Sequence, residues 1–168
     1  MDKVYDRLYL GALEDVFKIT TMKEAGISHI LSILDRSLPV SIRKQFTCKY
    51  VEVLDLPDED LLSYFEECLR FIDEGRNNGT GVLVHCLVGC SRSATIVIAW
   101  MMRERQINVE DAVNSVKECR PRIRPNDGFK FQLELFSQMN YQVDSQNLLY
   151  KKFKLDAMVL QMQEGESF

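Results

Sequence analysis

The chain has 168 residues, of which 46% are hydrophobic and 27% charged, and its formal net charge is −4. This length predicts a single domain, and the composition is typical of a globular protein rather than a disordered or fibrous one. The charge excludes a global basic surface for nucleic acid or an anionic membrane, and the longest apolar run, residues 94–102, is far shorter than the roughly 20 residues that span a membrane.

Short runs rich in apolar and β-branched residues predict four strands, at residues 7–10, 29–34, 49–54 and 82–85. The last run is apolar up to its histidine, as expected for a strand that is covered on both faces. We expect the four strands to form one central sheet.

Seven other segments have the apolar spacing of helices: 21–25, 41–46, 61–74, 93–105, 109–120, 127–139 and 148–163. Gly75 is predicted to end the third of them, Asn108 to cap the fifth, and Pro121 to stop it. Strands and helices alternate first, and helices alone follow. This order predicts an α/β domain whose sheet is covered on both faces, with a helical C-terminal part.

The cysteines are odd in number and lack the regular spacing of a secreted disulfide scaffold: Cys48, Cys68, Cys86, Cys90 and Cys119. We expect them to be mostly reduced thiols in a soluble protein of the cytoplasm or nucleus. The two histidines, His29 and His85, complete no zinc-binding pattern, so we predict no metal site.

The chemically informative segment is residues 82–95, in which a buried strand ends at His85, a short loop begins at Cys86, and an apolar helix begins near Arg92. Backbone N–H groups in such a loop, together with the helix dipole, form a site for a tetrahedral dianion. Arg92 would bind two oxygens of that anion. The same field lowers a cysteine pKa, so Cys86 is predicted to be a thiolate placed for attack on phosphorus.

These residues, His85-Cys86-x5-Arg92-Ser93, resemble the signature of the cysteine-dependent protein tyrosine phosphatases, and their flanks resemble the dual-specificity branch. The resemblance covers residues 1–140. The segments 139–144 and 149–153 are most similar to the atypical YVH-type phosphatases. Relatives of that type carry a C-terminal zinc-binding domain that these residues do not contain, which leaves open whether the chain is a catalytic-domain fragment.

The resemblance implies the tyrosine phosphatase-like fold, with a central, mostly parallel sheet flanked by helices. It implies a catalytic domain over residues 1–140 and a helical extension over 141–168. It also implies that phosphoryl oxygens are held by the backbone of Leu87, Val88, Gly89, Cys90, Ser91 and Arg92. Ser93 would help to expel the thiolate, while His85 and Asn126 would support the loop.

A general acid must protonate the leaving oxygen. Asp55 directly follows the third predicted strand and stands 31 residues before Cys86, which resembles the family's placement of its acid on a loop. We therefore assign the acid to Asp55. Asp58 and Asp60 are more typical of an acidic first turn or cap for the helix that follows.

Two further features have alternative interpretations. Cys90 is either a small packing residue or, if its sulfur reaches Cys86, a partner that resolves an oxidised nucleophile as a disulfide. Arg120, Arg122 and Arg124 are either solvated helix-end residues or a second anionic subsite near the mouth of the site.

The sequence thus predicts a metal- and cofactor-free protein phosphatase that hydrolyses phosphotyrosine and phosphoserine/threonine through a phosphocysteine intermediate. Its partner would be a phosphoprotein substrate, and the domain would be monomeric. Two alternatives remain: a phosphatase of a phospholipid, glycan or RNA 5′ phosphate, and a phosphate-recognition or scaffold module with little turnover.

Overall fold

The computed structural model describes residues 1–165. A five-stranded sheet in the order β1-β2-β5-β3-β4 lies at its centre. Its strands are β1 (Asp2–Tyr5), β2 (Leu8–Ala12), β3 (Ile27–Leu34), β4 (Thr47–Glu52) and β5 (Gly81–Cys86). β1 is antiparallel to β2 and every other pair is parallel, which confirms the mostly parallel sheet. β1 itself was not predicted, because this edge strand buries only Val4 and so has no apolar pattern.

The helices are α1 (Leu13–Val16), α2 (Ile19–Glu24), α3 (Val40–Arg43), α4 (Phe65–Asn77), α5 (Arg92–Arg105), α6 (Val109–Cys119), α7 (Asp127–Gln138) and α8 (Leu148–Gly165). A 3₁₀ turn, Leu62–Tyr64, precedes α4. Two hydrophobic clusters lie on opposite faces of the sheet. The larger contains residues of α4 to α7, and the smaller contains residues of α1 to α3. The predicted cover on both faces is therefore confirmed.

The central position of β5 sets the location of the candidate site. Every residue of β5 is buried, and the strand lies between β2 and β3, with Cys86 opposite Ala12 and His85 opposite Ser32. Parallel strands present their carboxyl ends at one edge of a sheet. The segments that follow β2, β3 and β5 therefore meet at the end of β5, where ligands of α/β sheets commonly bind.

Gly75 does not end its helix, contrary to the prediction, since α4 continues to Asn77. A β-carbon at Gly75 would lie 2.4 Å from Val82 Cγ2 and 3.0 Å from the ring of His29. The glycine is needed because the helix approaches the sheet closely at this point, and its position near the end of the apolar pattern imitates a stop signal.

The C-terminal helix α8 forms where it was predicted, and much of its apolar surface is exposed. Leu149, Met158 and Met162 are about half exposed, at 50%, 53% and 62%. Tyr150 and Ala157 are the buried residues of α8. No helix within residues 1–165 has the length and apolar character needed to cross a membrane.

Candidate active site

The segment from Cys86 to Arg92, called the phosphate loop below, connects the end of β5 to the start of α5. The thiol of Cys86 is almost completely buried, with 3% of the residue exposed. Its Sγ accepts hydrogen bonds from the N–H of Gly89 at 3.3 Å and from the hydroxyl of Ser93 at 3.1 Å. The sulfur is thus held at the base of the loop by donors that favour its ionised form.

The surroundings of Cys86 have opposing effects on its pKa. Burial raises it, but the hydroxyl and N–H of Ser93, the N–H of Gly89 and the charge of Arg92 together lower the pKa of the thiol below its ordinary value. Hydrogen bonds to sulfur stabilise the thiolate without requiring a neighbouring base. The surroundings of Cys86 therefore favour the thiolate, which is the form of the sulfur that a nucleophile requires.

Arg92 supplies a buried cation at the other end of the phosphate loop. The residue is 7% exposed, and its Nη1 donates to the carbonyl of Val53 at 3.0 Å. Its Nε is buried and has no hydrogen-bond partner within the described residues. Because buried polar groups are almost always paired, this nitrogen is a donor available to an anion in the loop.

The shape of the phosphate loop depends on Gly89 and Arg120. Gly89 has φ +73°, and a β-carbon there would lie 2.4 Å from the carbonyl oxygen of Gly11. Arg120 donates from Nε to the Gly89 carbonyl at 2.9 Å and from Nη2 to the Val88 carbonyl at 3.2 Å, and its Nη1 bonds Asp2 at 2.6 Å. These bonds satisfy both carbonyls and fix the backbone of the loop at Val88 and Gly89.

The hydrogen bonds of Arg120 correct the prediction that it belongs, with Arg122 and Arg124, to a solvated helix end or a second anionic subsite. Arg120 is only 2% exposed and is fully engaged with the loop and Asp2, so it is not part of a second anionic subsite. Arg122 and Arg124 are exposed, and a subsite formed by those two residues stays a prediction.

His85 lies beneath the phosphate loop and is completely buried. Its Nδ1 is 3.1 Å from the carbonyl oxygen of Cys86, and its Nε2 is 2.6 Å from the hydroxyl of Ser32. Burial lowers the pKa of His85 to about 4, against the opposing effect of the Cys86 carbonyl. The neutral ring therefore donates from Nδ1 to that carbonyl and accepts from Ser32, which makes His85 a support rather than a base.

The acid candidate Asp55 lies on an irregular segment, residues 53–61, called the acid loop below. Its Oδ1 accepts hydrogen bonds from Ser91 Oγ at 2.6 Å and from Asn126 Nδ2 at 2.9 Å. The N–H of Asn126 donates to Ser91 Oγ at 3.0 Å, and its Oδ1 caps α7 by accepting from the N–H of Phe129. Asp55, Ser91 and Asn126 thereby connect the acid loop, the phosphate loop and α7.

The other carboxylate of interest on the acid loop has the local function expected of it. Asp60 Oδ1 accepts a hydrogen bond from the N–H of Ser63 at 3.1 Å, as a cap for the turn that begins there.

Cys90 Sγ is 3.9 Å from the Val88 carbonyl, and all five cysteines are free thiols. The resolving function of Cys90 stays a prediction. Among residues 1–165, metal-ligating side chains do not gather in groups of three or more.

With this geometry established, comparison with known proteins decides the family. Residues 8–139 match the family described as dual specificity phosphatase, catalytic domain. The chain belongs to the dual specificity phosphatase family. It is 35% identical over 150 residues to mouse dual specificity protein phosphatase 12, which covers 88% of this chain and 44% of that protein. The chain thus spans less than half the length of this relative.

Solved dual specificity phosphatase structures agree with the fold. The structure of DUSP15 has a TM-score of 0.79 and 33% identity, and it covers 93% of each chain. The Yvh1 phosphatase domain from Chaetomium thermophilum has a TM-score of 0.75 and 31% identity, covering 83% of this chain and 95% of that one. The predicted resemblance to the atypical, YVH-type branch is confirmed.

One residue that supports the site of this dual specificity phosphatase domain was not predicted. Gln132 is fully buried, and its Oε1 accepts the N–H groups of Leu61 and Leu62 at 2.9 and 2.8 Å, while its Nε2 donates to the Glu59 carbonyl at 2.9 Å. It thus holds the C-terminal end of the acid loop. The available signal was a polar side chain on the apolar stripe of α7, which predicts a buried, hydrogen-bonded group.

Proposed function

We propose that this domain hydrolyses phosphotyrosine and phosphoserine/threonine in proteins through a phosphocysteine intermediate, with Cys86, Arg92, Asp55 and Ser93 as its catalytic residues. The observation that carries the proposal is the pairing of two features in one loop. A buried sulfur receives two hydrogen bonds, and a buried Nε of Arg92 lacks a partner. Family membership supports the same reaction.

In the first step, the Cys86 thiolate attacks phosphorus, so that an S–P bond forms while the P–O bond to the leaving group breaks. Arg92 and the loop N–H groups bind the three equatorial oxygens. Asp55, protonated at this stage, gives its proton to the leaving oxygen. Both hydrogen bonds to Asp55 end on Oδ1, so we assign the transferred proton to Oδ2.

In the second step, the Asp55 carboxylate takes a proton from water as the water oxygen bonds to phosphorus and the S–P bond breaks. The electron pair returns to Cys86 as the thiolate. Ser93 Oγ, 3.1 Å from the sulfur, donates to that departing thiolate. Inorganic phosphate is released, and Asp55 is again protonated for the next cycle.

The surroundings of the phosphate loop support a broad substrate range. The side chains of Leu87 and Val88 are 56% and 57% exposed, so the loop lies near the surface rather than at the bottom of a deep cleft. An open site of this kind admits short phosphoserine and phosphothreonine side chains as well as longer phosphotyrosine. The five free thiols suit a reducing compartment, the cytoplasm or nucleus, and we propose a monomeric domain.

The test is hydrolysis of phenyl phosphate, followed by phosphotyrosine and phosphothreonine peptides, in the presence of a metal chelator. Cys86→Ser is expected to abolish turnover, and Asp55→Asn is expected to lower kcat by about 10²- to 10⁴-fold, the usual contribution of general acid catalysis. Asp58→Asn is the matched control, because it neutralises another carboxylate on the same loop, and it should retain activity near that of the parent.

Turnover by Cys86→Ser would contradict the mechanism. Loss of activity in Asp58→Asn with retention in Asp55→Asn would move the general acid to Asp58. Hydrolysis of phosphoinositides or RNA 5′ phosphates, with both phosphopeptides left intact, would contradict the proposed protein substrates.

A further inference from the structure

The C-terminal helix α8 contacts the acid loop, although α8 begins at residue 148 and the family match ends at residue 139. The acid loop has no regular secondary structure between β4 and the 3₁₀ turn. Beyond a few backbone hydrogen bonds, its position is held by side chains from elsewhere in the chain. Asn126 holds its beginning and Gln132 holds its end, and α8 adds a third support.

The first contact joins Tyr150 to Asp60. The hydroxyl of Tyr150 lies 2.9 Å from Oδ1 and 3.1 Å from Oδ2 of Asp60, and only 1% of Tyr150 is exposed. Burial and the charge of Asp60 raise the pKa of Tyr150 above its ordinary value, so the phenol stays protonated and is the donor. This hydrogen bond is partly buried and charge-assisted, and charge-assisted hydrogen bonds are among the stronger polar contacts in proteins.

The second contact lies along the same helix. Phe153, Ala157 and Leu160 line a groove of about 320 Å³ together with Pro57 and Asp58 of the acid loop. Gln161 Nε2 lies 3.4 Å from the Asp58 carbonyl oxygen. α8 therefore contacts the acid loop at the Asp58 carbonyl and at the Asp60 carboxylate, with the shorter polar contacts at Asp60.

We propose that Tyr150 is a positioning residue: its hydrogen bond to Asp60 holds the acid loop so that Asp55 stays over the phosphate loop. This inference rests on the proposed function, since it assigns a task to the general acid. Asp60 lies five residues after Asp55, and its carboxylate also caps the turn at Ser63. One carboxylate thus couples α8 to the segment that carries the acid.

The test uses the full chain and a series of aryl phosphates, from 4-nitrophenyl phosphate to phenyl phosphate. A general acid matters most when the leaving group is a poor one. Tyr150→Phe removes only the hydroxyl, and it is expected to lower kcat/KM for phenyl phosphate by about 10-fold, which corresponds to about 1.4 kcal/mol of transition-state stabilisation. For 4-nitrophenyl phosphate, kcat/KM should change by less than about twofold. In Tyr150→Phe, kcat/KM should therefore depend more steeply on the leaving-group pKa than it does in the parent.

Tyr141→Phe is the matched control, because the hydroxyl of Tyr141 donates to the Ile107 carbonyl at 3.0 Å and, among residues 1–165, has no hydrogen bond to the acid loop. In Tyr141→Phe, the dependence of kcat/KM on the leaving-group pKa should equal that of the parent. Asp60→Asn, which weakens the acceptor, should steepen the dependence as Tyr150→Phe does, and the double variant should show little further effect. If Tyr150→Phe fails to fold, as judged by thermal unfolding, Asp60→Asn carries the test.

The outcomes separate this inference from the function on which it rests. A parent-like leaving-group dependence in Tyr150→Phe and Asp60→Asn, with a steeper one in Asp55→Asn, would overturn the positioning function of Tyr150 and leave Asp55 as the acid. A parent-like dependence in Asp55→Asn would instead overturn the assignment of the acid. A uniform loss across the series would show that Tyr150 contributes only to folding.

Discussion

The phosphate loop and the acid loop lie side by side but are built in different ways. The phosphate loop is a contiguous segment between a buried strand and a buried helix, and Arg120 and His85 fasten it from below. The acid loop is irregular and depends on side chains that follow it in the chain by 30 residues or more, such as Ser91 and Gln132. The groups proposed to bind the anion therefore lie together in one segment of the chain, whereas the proposed general acid is positioned by residues that are distant in sequence.

The largest effect is expected from Gly89→Ala, which tests the rigidity of the phosphate loop. An alanine β-carbon would meet the Gly11 carbonyl at 2.4 Å while the backbone is held at a positive φ. The loop must therefore distort, and its N–H groups would no longer converge on the anion. We expect kcat/KM to fall by more than about 10²-fold, as when one oxyanion donor is lost.

Gly79 also has a positive φ, but a β-carbon there meets nothing within 4 Å. Gly79→Ala is thus a control for backbone strain alone. Kinetics and thermal unfolding measured on both variants separate strain from misplacement of the loop. Equal activities of the two variants would show that the phosphate loop adapts to a side chain and is not rigid.

Effects of intermediate size are expected from two variants, one at a residue that supports the phosphate loop and one at a residue that supports the acid loop. Arg120→Met leaves the carbonyls of Val88 and Gly89 without their donor, and Gln132→Leu leaves the N–H groups of Leu61 and Leu62 without their acceptor. Each change should destabilise the fold by about 1–3 kcal/mol. Arg120→Met should weaken inhibition by inorganic phosphate, and Gln132→Leu should lower turnover of phenyl phosphate while phosphate inhibition stays unchanged.

Both variants can be examined by urea unfolding and by phosphate inhibition at a single pH. If Gln132→Leu weakened phosphate binding as much as Arg120→Met does, the two loops would not be positioned independently of each other.

The smallest effect concerns the contribution of His85, beneath the phosphate loop, to the loss of stability in acid. Its pKa is about 4 in the folded protein, against 6.5 for an ordinary histidine. Between these values the unfolded chain binds a proton that the native ring does not, so stability present above pH 6.5 is lost as the pH falls. From pH 7 to pH 5.5, the loss from this residue should be about 1 kcal/mol.

His85→Gln keeps a polar side chain beneath the loop but cannot bind that proton. Urea unfolding at pH 7 and pH 5.5 should therefore show a smaller loss for the variant than for the parent. An identical loss in both proteins would mean that other groups account for the acid sensitivity.

The distance in sequence between interacting residues explains which features could be predicted from the sequence. The strand, loop and helix around Cys86 and Arg92 were predicted because every contributing residue is close in the chain and the apolar pattern is strong. Arg120 was misinterpreted because its partners at residues 2, 88 and 89 are distant in sequence. β1 was not predicted because this edge strand buries a single side chain.

Arg120 also has a consequence for the order in which the chain folds. Its bond to Asp2 joins residues separated by 118 positions, and contacts of such long separation are the slowest to form because they close the largest loops. The phosphate loop is expected to reach its final shape only after β1 has joined the sheet. Inorganic phosphate should consequently bind the completed fold and not its precursors, and so stabilise the native state by mass action.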